Sequence, residues 1–226
     1  MSGALVLLSG GLDSLVSLAL AREKLQVSFA LTFDYGQQAA KKEIAAAVGI
    51  CNYYSLAHQV VQLPWLKEID KSALQMTGNL PQMNDKDIDN PDAAGKAAAA
   101  VWVPNRNGLF TSIAACFAES LGMEYIIAGF NHEEAVTFPD NSEQFVKRVN
   151  DYLELSTLSD VAIWAPTQHM DKTDIVREGI RLGVPWHYMW SCYTGGDSLC
   201  GQCESCLRLL RAFKGAGVNY AKLMDR

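Results

Sequence analysis

No stretch of this chain is apolar for long enough to cross a bilayer, and its first apolar run has no basic region before it and is too short for a secretion signal. A chain of this kind is expected to work in the cytoplasm. Basic residues do not predominate: 19 Lys and Arg against 25 Asp and Glu give a formal charge of −6, which argues against broad nucleic-acid binding and favours small-molecule partners. Histidine is scarce, and His58, His132, His169 and His187 form no H-E-x-x-H pair, so they are assigned no chemistry. Two familiar glycine-rich loops are missing as well. No G-x-x-x-x-G-K-[ST] places a lysine for γ-phosphate transfer, and no G-x-G-x-x-G marks a dinucleotide crossover.

What is present suits a compact enzyme. With 226 residues and 49% hydrophobic content, the chain can bury ~70–75% of its unfolded surface without the help of disulfides. Ala4-Leu5-Val6-Leu7-Leu8 reads as a strand covered on both faces. It runs into Ser9-Gly10-Gly11-Leu12-Asp13-Ser14, after which Leu15, Val16, Leu18, Ala19 and Leu20 continue with helical spacing. Gly10 and Gly11 allow the close backbone approach that a bound anion needs, and the N–H groups of the helix start would point at it. This S-G-G-x-D-S spacing resembles the pyrophosphate loop (PP-loop) of the N-type ATP pyrophosphatases, which split ATP between its α and β phosphates and transfer AMP to an acceptor. The resemblance implies an adenine nucleotide alpha hydrolase-like fold.

Later segments keep the alternation of an α/β, doubly wound, mostly parallel sheet, which binds ligands outside the carboxyl ends of its strands. Residues 27–33 form the second strand and end at Asp34-Tyr35-Gly36-Gln37; a helix follows, with Gly49 near its end. Residues 59–64 suit a third strand. Residues 77–95 are dense in Asn, Asp, Pro and Gly and read as a long loop, a lid or a disordered segment, before an alanine tract at 97–100. Val103-Pro104-Asn105-Arg106-Asn107 precedes a helix at 108–121. A cation at a helix start opposes the helix dipole unless it faces an anionic ligand. Residues 124–129 and 161–165 supply two more strands, the first followed by a loop at 130–142 and a helix at 142–158. A last helix of this part, 171–182, is capped by Asp171 and ended by Gly183 and Pro185, and Lys172 in its first turn is placed for a phosphate contact.

Cys192-x7-Cys200-x2-Cys203-x2-Cys206 is the second strong signal. Four thiolates complete a tetrahedral Zn²⁺ shell with no open position, so the metal is expected to be structural, tying its loop to the following helix. An iron–sulfur cluster is the rival, although Leu207 follows without the C-x3-C-P continuation of ferredoxins. Disulfides do not suit a cytosolic chain, and Cys51 and Cys116 are expected to be buried hydrophobes. The expected division is an α/β domain over 1–190 with a zinc-binding region over 191–226 packed on it.

Taken together, the PP-loop, Asp-Tyr-Gly-Gln, P-x-R-N, Phe138-Pro139-Asp140, the Lys172 helix and the four cysteines resemble the 7-cyano-7-deazaguanine synthase family of queuosine precursor biosynthesis, over almost the whole chain. That resemblance implies conversion of 7-carboxy-7-deazaguanine to its nitrile with ATP, Mg²⁺ and ammonia, by a homodimer. It implies ATP contacts from Leu8, Ser9, Gly10, Gly11, Leu12, Asp13, Ser14, Phe33, Tyr35 and Gln37, and catalytic roles for Asp13, Ser14, Arg106 and Lys172. The carboxylate substrate would meet Arg106, Asn107, Asn131, Phe138 as a stacking ring, and Asp140 as acceptor for a guanine-like N–H edge. Departures from the family pattern cluster near the substrate: Ala39 or Ala40 replaces a histidine, Phe138 a tyrosine and Asn141 a cysteine, and His132-Glu133-Glu134 interrupts the substrate loop. They leave open a paralogue that adenylates another carboxylate, a small molecule or a protein terminus. A tRNA-thiolating relative and a non-catalytic zinc-stabilised module are further alternatives.

Overall fold

The computed structural model describes residues 2–75 and 78–224. Five strands, β1 (Gly3–Leu7), β2 (Gln26–Asp34), β3 (Ala57–Gln62), β4 (Tyr125–Ile127) and β5 (Ala162–Trp164), pair in parallel in the order β3-β2-β1-β4-β5. The helices are α1 (Leu12–Arg22), α2 (Ala40–Tyr54), α3 (Pro64–Ile69), α4 (Asp85–Ile88), α5 (Pro91–Ala100), α6 (Arg106–Ser120), α7 (His132–Ala135), α8 (Glu143–Ser156), α9 (Lys172–Arg181), α10 (Glu204–Gly215) and α11 (Tyr220–Met224). No helix among the described residues is long and apolar enough to cross a membrane.

The apolar runs of β1 and β4 are buried on both faces because successive side chains alternate between two cores. Val6 and Ile127 face α1, α9 and α10, with Leu15, Ile175, Leu209 and Phe213. Leu5 and Ile126 face α6 and α8, with Ala114, Ala118 and Leu153. α10 therefore shares its core with the sheet. β1 is flanked by β2 on one side and β4 on the other. The chain turns in opposite directions there, so the loops leaving β1 and β4 open a crevice at their carboxyl ends.

Two sequence expectations are corrected here. Of the expected loop at 77–95, Thr77 lies outside the described residues, but residues 85–88 and 91–95 are helical. Asn84 Oδ1 accepts from Lys86 N while Asp87 Oδ2 accepts from Asn84 N, a reciprocal cap; Asn90 Oδ1 accepts from Asp92 N and Ala93 N, with Pro91 at the first helical position. The Asn, Asp and Pro content that reads as loop is cap chemistry for two short helices. The alanine tract follows as the buried side of α5, through Ala97 and Ala98. Gly49 is inside α2, packed against Tyr188, and the helix ends instead at Ser55 in the left-handed region (φ 57°).

Candidate active site and metal centre

The turn from β1 into α1 is shaped by Gly10, whose φ of 80° is a left-handed conformation and whose position leaves no room for a side chain: a Cβ there would lie 2.6 Å from Ala46 Cβ. α2 thus packs directly on the loop. From the other side Gly129, just past β4, lets the backbone meet the start of α1, where an added Cβ would lie 2.7 Å from Ser14 N. No side chain caps α1; Ser14 Oγ lies 3.2 Å from both Gly11 O and Ser9 Oγ. The first-turn N–H groups have no intrahelical acceptor and carry the positive end of the helix dipole.

A cleft of ≈ 240 Å³ opens over this turn. It brings together Leu8, Ser9, Gly11, Asp13 and Ser14 with Phe33 and Tyr35 from the end of β2, Arg106 and Asn107 from α6, and Lys172 from α9. Asn105, left-handed at φ 51°, turns the chain so that Arg106 takes the first position of α6. Arg106 Nη1 donates to Tyr35 Oη at 3.1 Å, and burial in this wall pushes the Tyr35 hydroxyl above its ordinary pKa. The remaining guanidinium N–H groups of Arg106 suit a planar anion.

Six other expected residues do not line the cleft. Gly10 supplies the turn, and Leu12 is buried in the core. Gln37 is buried: its Oε1 accepts from Tyr35 N at 3.0 Å, and its Nε2 donates to Phe33 O at 3.0 Å and Glu43 Oε2 at 2.8 Å, so it braces the loop. Asn131 caps α7 through Glu134 N at 2.9 Å. Phe138 stacks on Trp102, centroids 6.3 Å apart and rings within 9° of parallel. Asp140 offers its backbone carbonyl to Asn107 Nδ2 at 3.2 Å, and its carboxylate accepts from Asn141 Nδ2 at 3.3 Å.

The charged heart of the cleft is Lys172, 7% exposed, with Nζ 2.7 Å from both Asp13 Oδ2 and Glu134 Oε1. Burial opposes the ammonium, but the two carboxylates outweigh it and hold Lys172 above the ordinary lysine pKa. Burial pushes Asp13 up to about 6; the charge and hydrogen bond of Lys172 act against that shift, while the Glu134 and Glu133 carboxylates add to it. Burial also acts to raise Glu134, yet Lys172 leaves it below the ordinary carboxylate value. Asp13 Oδ1 is buried without a hydrogen-bond partner.

Beside the cleft the thiols of Cys192, Cys200, Cys203 and Cys206 lie within 4.8 Å of one another. The Cys200 and Cys206 sulfurs are 3.8 Å apart, close to the ~3.8 Å edge of a tetrahedron with 2.3 Å zinc–sulfur bonds. Backbone N–H groups of Thr194 and Cys200 point at Cys192 Sγ at 3.4 Å, and that of Cys203 at Cys200 Sγ at 3.3 Å, as suits thiolates. The set fits a four-sulfur metal shell. Cys116, by contrast, is exposed on α6, which corrects the expectation of a buried hydrophobe; Cys51 is buried.

The family model described as queuosine biosynthesis protein QueC matches residues 3–217. The chain belongs to the QueC family. Among relatives, it is 55% identical over 213 residues to a 7-cyano-7-deazaguanine synthase of Desulforudis audaxviator, covering 94% of this chain and 97% of that one. It is 51% identical to the 7-cyano-7-deazaguanine synthase of Desulforamulus reducens, covering 96% and 95% respectively. A more distant solved structure, NMN synthetase from Francisella tularensis, is 18% identical, with a TM-score of 0.47 over 99% of this chain and 75% of that one.

In this QueC-family chain the cleft also contains residues that sequence reasoning missed. Glu43, Phe110 and Glu134 line it, as do Trp190, Ser191, Tyr193 and Ser205 from around the cysteine motif. The last four had a signal, since they flank Cys192 and Cys206. Glu134 had one too, in the acidic pair with Glu133 that interrupts the expected substrate loop.

Proposed function

We propose that this chain is a 7-cyano-7-deazaguanine synthase that acts in the cytoplasm on small molecules, converting 7-carboxy-7-deazaguanine and ammonia to the nitrile with two ATP, each released as AMP and pyrophosphate. The observation that carries the site assignment is the convergence of the Ser9–Ser14 turn, Lys172 and Arg106 at the carboxyl ends of β1, β2 and β4. In this reading the α1 N–H groups and the Ser9 and Ser14 hydroxyls hold the pyrophosphate that leaves, while Leu8 and Phe33 wall the nucleotide. Lys172 and Arg106 neutralise the α-phosphate as the substrate carboxylate attacks it. Ammonia then displaces AMP to leave the amide; the amide oxygen takes a second AMP, and loss of that AMP with a proton from nitrogen gives the nitrile. No protein nucleophile is needed.

The residues present fit a divalent cation. Asp13 Oδ1 lacks a partner, and four carboxylates (Asp13, Glu133, Glu134, Glu204) against two cations (Lys172, Arg208) leave a formal −2. Asp13 and Glu134 would hold Mg²⁺, which would supply positive charge to the phosphate oxygens. Cys192, Cys200, Cys203 and Cys206 would hold a structural Zn²⁺, fixing the loop that carries Ser191 and Tyr193. The same reading takes the working unit as a homodimer. The test is incubation with Mg-ATP, ammonium and 7-carboxy-7-deazaguanine, with products followed by mass spectrometry. Nitrile with AMP supports the proposal; ADP in place of AMP overturns the loop assignment, and AMP only with another carboxylate overturns the substrate.

A further inference from the structure

The single turn α7 carries adjacent carboxylates that leave in different directions. Glu134 Oε1 meets Lys172 Nζ at 2.7 Å. Glu133 bridges two other elements: its Oε1 accepts from Arg208 Nη1 at 2.5 Å, and its Oε2 from the backbone N–H of Lys172 at 3.3 Å. That N–H opens α9 and has no acceptor within the helix. The backbone N–H of His132 donates to Met170 O at 3.1 Å, so α7 is stitched to the start of α9 along its length.

Arg208 is the other end of this arrangement. It is buried on α10, with Nε donating to Glu204 Oε1 at 2.9 Å and Nη2 2.8 Å from the same oxygen. One guanidinium thus spans a carboxylate of its own helix and a carboxylate of α7, and its planar fork suits both at once in a way that a lysine does not. The start of α10 is fixed in turn, because Cys203 and Cys206 belong to the four-sulfur cluster and Ser205 between them lines the cleft. Arg208, Glu133 and Glu204 themselves are not among the residues that line the cleft.

We propose that Arg208 is a positioning residue: by clamping Glu133 it fixes α7 against the first turn of α9, and so sets Glu134 and Lys172 in the geometry that the α-phosphate requires. The inference rests on the adenylation reading above. Without the guanidinium, the buried Glu204 carboxylate loses its cation, while Glu133, 26% exposed, keeps only the backbone N–H of Lys172 and is free to move, and with it the adjacent Glu134.

The experiment compares wild type with Arg208→Met, Arg208→Lys, Glu133→Gln and the double variant Arg208→Met/Glu133→Gln, using Arg211→Ala as control. Arg211 is on the same helix but pairs outward with Asp89, Nη1 to Oδ1 at 2.7 Å. Arg208→Met is expected to lower kcat by about 10–100-fold, the scale seen for partners that orient first-contact groups, with KM for ATP and bound metal unchanged. Arg208→Lys restores little, Arg211→Ala has wild-type kcat, and the double variant is no worse than Arg208→Met because both remove one clamp. A folded, metal-replete Arg208→Met with wild-type kcat overturns the proposal, as does a loss confined to KM or an additive double variant. If Arg208→Met does not fold, Glu133→Gln decides alone, and wild-type kcat there overturns it. Hydrogen exchange of the peptide spanning 130–140 gives a readout independent of substrate: faster exchange in Glu133→Gln supports the clamp and unchanged exchange refutes it. Should wild type release no AMP, the adenylation reading fails and the exchange result still decides the clamp.

Discussion

Replacing Lys172 by methionine isolates the charge at the centre of the cleft. Methionine keeps the apolar stem, so the change removes one ammonium from between two carboxylates, each 2.7 Å away. Removing one partner of a fully buried pair costs ~3–5 kcal/mol. Asp13 and Glu134 keep 19% and 28% of their side-chain surface exposed, so a loss of about 2–3 kcal/mol is expected, or a fall in Tm of about 5–10 °C for a chain of this size. The sign of the pH dependence follows from the two acids. Asp13 is already raised to about 6 with Lys172 opposing the shift, so without Lys172 it rises further. Glu134 is depressed by Lys172 against its burial, so it too rises. A carboxyl with a raised folded pKa penalises folding only once it must ionise. The penalty of Lys172→Met is therefore small near about pH 5 and grows towards about pH 8. Thermal denaturation of both proteins across that range is the assay. A variant that melts with wild type, or a deficit that is the same at both ends, refutes the reasoning.

Gly10→Ala places a Cβ into Ala46 at a left-handed backbone, costing about 2–3 kcal/mol in urea unfolding together with loss of nucleotide binding; an unchanged midpoint contradicts the loop geometry. Cys203→Ser is expected to abolish stoichiometric zinc and lower Tm, read by elemental analysis and calorimetry, whereas iron in the wild type or full stability without metal contradicts the zinc assignment. With Mg-ATP subsaturating, kcat/KM, which reports the free enzyme, should fall on the acid side with a midpoint near about 6, where Asp13 takes up its proton, and Asp13→Asn should abolish that limb along with most of the rate; a limb near the ordinary carboxylate value contradicts the role of Asp13.

The parts of this fold that are legible in the sequence are those in which one short segment does everything. The apolar run of β1, its glycine turn and the start of α1 are contiguous, and so are the last three cysteines of the four-thiol cluster; Asp171 caps its own helix through Asp174 N. What escapes is relational. Nothing local marks Lys172 as the partner of Asp13, 159 residues away, or Arg208 as the partner of Glu133, 75 residues away. Gln37 sits at a strand end, where a polar residue invites a binding role, but its amide is consumed by its own loop. The 84–100 region misleads for a different reason, since cap residues and loop residues are the same amino acids, and only the backbone they serve tells them apart.

Oxygen labelling tests the central claim most directly. If this chain activates first a carboxylate and then an amide as AMP derivatives, 7-carboxy-7-deazaguanine labelled with ¹⁸O in its carboxylate must lose both oxygens to AMP, one to each molecule released, leaving an unlabelled nitrile. Label found in phosphate, in pyrophosphate or in water, with AMP unlabelled, would contradict the account.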